Sequence, residues 1–100
     1  MRYLIFDITE GTDGVFTLEA MAATTDRHAH EEAKAEAEQV IAWAHQNFPD
    51  RTGPVEDGHA WDHEQLIQHE DGGWITLTLS LSASTEFVDM FKAVFCDAEQ

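Results

Sequence analysis

Six histidines and twenty carboxylates carry most of the chemistry this chain has to offer. His28 and Glu32 stand four apart, with His30 and Glu31 between them. On a helix that spacing brings two side chains together on one face, and imidazole with carboxylate is a donor set for zinc. His59 and His63 share the spacing, but their neighbours place them in a loop and a strand. Neither pair sits in an HExxH motif, and no acids alternate as a calcium loop requires. His28 and His30 therefore read as solvated residues at a helix start, and no metal or other cofactor is expected.

Catalysis asks for a base, a nucleophile and a pocket together. His63 and His69 fall on one side of a predicted strand, where partial burial beside an acid would suit a general base. Ser80, Ser82 and Ser84 are the hydroxyls at hand, but Ser and Thr alternating along a strand mark a solvated sheet face. Cys96, the lone cysteine, is followed by Asp97, whose charge opposes thiolate formation. The sequence contains no GxSxG, no Walker loop and no GxGxxG. The expectation is a protein without catalytic activity.

The charge balance narrows the partners. Twenty acids against five Lys and Arg leave −15 with His neutral. Direct nucleic-acid binding is not expected, because it needs clustered Lys and Arg to displace counterions from phosphate. An anionic membrane surface is disfavoured for the same reason. No apolar run reaches the roughly eighteen residues of a membrane span. The apolar run that opens the chain stops at Asp7, unlike a signal peptide. A cytoplasmic location is expected, with residues 1–100 forming one small domain. Leu, Ile, Val and Phe number 22, close to the level of about 20% below which strong net charge predicts disorder. Their periodic arrangement argues for a folded chain.

Residues Arg2 to Thr9 and Val15 to Ala23 each alternate, and Glu10 to Gly14 is rich in turn formers. A five-residue loop sets Ile8 opposite Phe16, Phe6 opposite Leu18 and Leu4 opposite Ala20, all on one face. The same register sets Tyr3 opposite Met21 and Ile5 opposite Glu19. Asp26 offers a helix cap, and Ala29, Ala33, Ala37, Val40, Ile41, Ala44 and Phe48 then step at three and four residues until Pro49. Pro49 to Gly58 reads as a loop. Trp61 to Glu70 and Trp74 to Ala83 form a second hairpin. A three-residue turn, Asp71 to Gly73, sets Ile67 opposite Leu77 and His63 opposite Leu81. Ser84, Thr85 and Glu86 open a second helix with a stripe of Phe87, Met90, Phe91, Val94 and Phe95. Ala23-Thr24-Thr25-Asp26 and Ala83-Ser84-Thr85-Glu86 suggest one strand-to-helix junction used twice.

The expected fold is α+β, a ββαββα two-layer sandwich. Its four-stranded, mainly antiparallel sheet carries two helices on one face. Placing the most apolar strands, the first and fourth, at the centre gives the order 2-1-4-3. A two-layer fold leaves one sheet face uncovered. Tyr3, Ile5, Val15, Met21, Leu66 and Trp74 are expected on it, among Thr, Ser and acids, and exposed aromatic and Met side chains are interface residues. Glu31, Glu32, Glu36, Glu38, Asp57, Asp62, Glu64, Glu70 and Asp71 make the surface negative. That charge either steers basic partners or simply keeps the chain soluble. The expected function is non-enzymatic: a protein partner or a second copy bound through the open face. The alternative is a small-molecule or metal-binding protein, enzymatic or not, using His63, His69 and acids near the 49–58 loop.

Overall fold

In the first hairpin β1 (Asp7–Glu10) runs antiparallel to β2 (Phe16–Thr24). The computed structural model describes residues 3–11, 14–55 and 58–96, and Asp57, Asp97 and the Cys96 side chain lie outside the described residues. Ile8 pairs with Leu18 and Asp7 with Glu19, a register two residues away from the Ile8–Phe16 and Ile5–Glu19 pairs that the sequence pattern suggests. The loop is still five residues long, but it spans Gly11 to Val15 and is closed by Gly11 N–H donating to Val15 C=O at 2.8 Å. A register shift of two residues keeps every side chain on its face, so alternation cannot tell the two registers apart. A Cβ on Gly11 would lie 2.7 Å from Val15 O. Glycine at that point lets the loop close there.

The second hairpin, β3 (Trp61–Glu70) and β4 (Trp74–Ala83), has the predicted ends and register, with Ile67 on Leu77 and His63 on Leu81. A 3₁₀ turn over Asp71–Gly73 joins them, and Gly72 and Gly73 take φ of 83° and 82°. Such values cost glycine little.

The four strands are ordered β1-β2-β4-β3. The two hairpins meet edge to edge with β3 outermost, as expected. Within the first hairpin the strands are exchanged relative to 2-1-4-3: β2, not β1, lies against β4 along nine paired residues. β1 is only four residues long, and Leu4 and Phe6 leave the ladder before it begins. β2 and β4 are also the strands that run directly into helices. Covering the sheet's middle with those helices puts both strands at the centre.

Helix α1 (Arg27–Asn47) starts where the Asp26 carboxylate accepts from His28 N–H at 2.9 Å and stops one residue before Phe48-Pro49. Ala33, Ala37, Val40 and Ala44 are buried along it. Three of the four are alanines, which allows close approach to Leu18, Ala20, Leu77, Leu79 and Leu81 of the sheet. His30 shares that buried stripe at 7% exposure, so it is not the solvated residue that its polar neighbours suggest. Helix α2 (Thr85–Phe91) is capped by Ser84 Oγ, which accepts from Phe87 N–H at 3.3 Å. The two caps, Asp26 and Ser84, fall at non-equivalent places in the proposed repeat. Val88 is buried in α2, whereas Met90 and Val94 are exposed. Beyond Phe91 the chain widens into a π-helical turn, Lys92–Cys96. Phe95 there packs on Phe91 and Trp43, with ring centroids 4.9 and 5.2 Å away. No helix among the described residues is long and apolar enough to cross a membrane.

Candidate functional site

Along β2 the residues Thr17, Glu19, Met21 and Ala23 alternate with buried Leu18 and Ala20 and point away from the helices. Ladder pairing carries that face across the sheet. Met21 and Leu66 both pair with Thr78, one from each side. Three strands thus present one row, Met21–Thr78–Leu66, with its ends about 10 Å apart. Two residues along, Ala23 and Gln68 flank Thr76 in the same way, and Trp74 ends β4 opposite Glu70. Met21 is 63%, Leu66 50% and Trp74 47% exposed. These are large apolar side chains held in water by a rigid ladder. Thr76, although on this face, is buried, and its hydroxyl donates to Glu70 Oε2 at 2.9 Å.

The opposite half of the face is acidic. Glu19 and Glu64 flank Ser80, Asp7 pairs with Glu19, and Asp62 pairs with Ser82. Ser80 Oγ donates to Glu19 Oε2 at 3.3 Å. A hollow of about 290 Å³ is lined by Asp62, His63, Glu64, Ser80 and Ser82.

Of the expected interface residues, Met21, Leu66 and Trp74 are brought onto one face. Tyr3 is not among them. It is half-buried and lines a cleft of about 350 Å³ with Met21, Ala22, Ala23, Thr24 and two alanines of α1, Ala29 and Ala33. The cause is Glu36, whose Oε1 accepts from Tyr3 N–H and Leu4 N–H, each at 3.0 Å, and pulls the backbone off the sheet toward α1. Ile5 is 78% exposed but stands ahead of β1, and no strand pairing ties it to the Met21–Leu66 row. Val15 belongs to the loop between β1 and β2.

The two histidines of β3 lie toward its opposite ends. His63 is exposed and stacks on buried Trp61 at 5.4 Å, with the His45 ring edge-on to Trp61 at 5.0 Å. His69 lies six residues further along the strand, about 20 Å away, and is also exposed. The strand therefore separates His63 from His69 and buries neither beside an acid. His45 had no sequence signal: its partners are 16 and 18 positions away, on another element. His28 meets Glu32 at 2.9 Å, as the i,i+4 spacing predicts, on the solvent side of α1. Among the described residues no three His, Cys, Asp or Glu side chains are grouped to hold a metal ion. Compared with known proteins, the chain matches no family model, no curated protein and no solved structure.

Proposed function

We propose that this protein is a non-enzymatic binding module whose contact surface is the uncovered sheet face around Met21, Leu66 and Trp74. One observation carries the reading: the Met21–Thr78–Leu66 row, apolar at both ends, lies on the face that neither helix covers. A side chain free to move can withdraw from water, but one fixed on a ladder stays exposed until something else covers it. The charge chooses between two kinds of occupant. At −15 a second copy meets self-repulsion, whereas a neutral or basic protein does not. A protein partner is therefore favoured over a homo-oligomer.

The test compares the wild-type chain with Met21→Glu, Leu66→Glu and Trp74→Glu in capture of partners from source lysate and in sizing. Ala35→Glu, on the exposed side of α1, serves as the control. The expected result is a complex lost in all three face variants and kept in the control. An unchanged partner set and unchanged apparent mass in the face variants would remove the proposal.

A further inference from the structure

We propose that the outer edge of β3 takes up a basic, extended segment of a partner protein as a fifth strand. The inference rests on the reading of the chain as a binding module and extends it from a face to an edge, and from a partner in general to one of stated charge.

The backbone supplies the first argument. Trp61 turns both of its polar groups to the outer side: its C=O accepts from Gly53 N–H at 2.9 Å and its N–H donates to Arg51 C=O at 3.4 Å. In an antiparallel ladder successive residues address the two neighbours alternately. His63, Gln65, Ile67 and His69 therefore also face outward. The His63 N–H donates to Asp62 Oδ1 at 2.9 Å. Beyond the Thr52–Trp61 bridge, no strand among the described residues pairs with this edge. The N–H groups of Gln65, Ile67 and His69 and the C=O groups of all four residues form a template at strand spacing.

The side chains then choose the occupant. On the open face β3 presents Asp62, Glu64, Leu66, Gln68 and Glu70, and neither β3 nor β4 contains a Lys or Arg. A second copy places its own Asp62, Glu64 and Glu70 on the same face as these acids in every two-fold register, and in at least two of them directly opposite. Two-fold pairing centred on Leu66 sets Asp62 against Glu70 of the other copy, twice. Centred on Ile67, it sets Glu64 against Glu70, twice. Like charges directly opposite each other are destabilising. A strand with Lys or Arg at alternate positions turns the same contacts into attractions. Its cationic side chains lie over Asp62, Glu64 and Glu70, and one of them fills the hollow beside Ser80 and Ser82. Its apolar side chains fall on the other side, against Ile67, which is 36% exposed because no helix covers this end of β3.

The probe is a synthetic peptide of about ten residues alternating Lys and Val, a strand-forming pattern, added to the full chain at low salt. A Lys–Gly peptide of equal charge and a Glu–Val peptide are the comparisons. Hydrogen exchange followed by NMR reads the edge directly. The expected result is slowed exchange at Gln65, Ile67 and His69, tight binding only of Lys–Val, and affinity reduced about tenfold by Gln65→Pro, which removes one outward donor. Pro is tolerated at an outward position of an edge strand. If that variant does not fold, Glu64→Lys with Glu70→Lys replaces it, and the preference should pass to Glu–Val. Equal binding of Lys–Gly, shifts without slowed exchange at the three amides, or no binding at all would overturn the proposal. So would slowed exchange that rises with protein concentration alone, the mark of a second copy. Met21→Glu, on β2 and two strands away from the edge, tests the face and should leave peptide affinity within about threefold, a change under 1 kcal/mol. Loss of peptide binding in that variant with none in Gln65→Pro would overturn the edge and leave the face.

Discussion

Glu36 decides more of the surface than its place on a polar helix flank suggests. Its carboxylate holds two backbone N–H groups of the segment before β1 and so determines that Tyr3 faces a cleft rather than the open sheet. Hydrogen bonds to a charged acceptor contribute about 1.5–3 kcal/mol each when shielded, and less where water reaches them, as it does here. Glu36→Ala should therefore lower the unfolding free energy in urea by about 2 kcal/mol and speed amide exchange at Tyr3 and Leu4. Unchanged exchange at those two amides would mean that the segment is held by side-chain packing alone. The effect was illegible in sequence because Glu36 and Tyr3 are 33 residues apart and each looks ordinary where it stands. His30 departs from the sequence expectation for a related reason. Polar neighbours at His28 and Glu31 suggested solvent, but helical phase puts residue 30 three before Ala33 and seven before Ala37, inside the buried stripe. Among the described residues its Nδ1 is buried without a hydrogen-bond partner, a cost that the pattern of hydrophobic residues cannot display.

Legibility rises at the level of strands and helices, and where it fails the cause is local. The second hairpin was readable to the residue because two constraints agreed: Leu77, Leu79 and Leu81 demand one face, and Asp71-Gly72-Gly73 permits only a short turn. In the first hairpin the turn chemistry spreads over five residues, and two loops satisfy the same alternation. The contact that separates them is the close approach of Gly11 to Val15 O, which leaves no trace in hydrophobicity. Gly11→Ala should accordingly destabilise the chain by about 1–2 kcal/mol, in the range of single changes that create a backbone clash. Urea unfolding measures the loss. Cross-strand contacts between Ile8 and Leu18 report whether the register survives. Full stability in this variant would show that the loop has room the geometry denies it. Strand order escaped the sequence for a different reason. Apolar content pointed to the first strand as central, but β1 surrenders Leu4 and Phe6 before pairing begins, and length together with the path into each helix decides the matter.

At the scale of the whole molecule the charge acts on folding and on binding with opposite signs, and this separates its two meanings. Fifteen net negative charges on a chain of 100 residues repel one another in the compact state. The only ion pairs among the described residues, Arg51–Glu86 and His28–Glu32, lie at the surface, where such pairs contribute little. Salt that shortens the screening length from about 10 Å at 0.1 M to about 3 Å at 1 M should relieve more repulsion than attraction. The urea midpoint should therefore rise with NaCl. A strand of basic residues on β3 meets the reverse: the same screening weakens its attraction to Asp62, Glu64 and Glu70, and its affinity should fall over the same range. If acidity served solubility alone, stability would still rise, but peptide affinity would be flat, carried by backbone pairing and by Ile67. Measuring both quantities in one salt series distinguishes a charge that selects partners from one that only keeps the chains apart. A rise in stability with a parallel rise in affinity would assign the contact to apolar burial, and would move the centre of binding from the β3 edge to the Met21–Leu66 row.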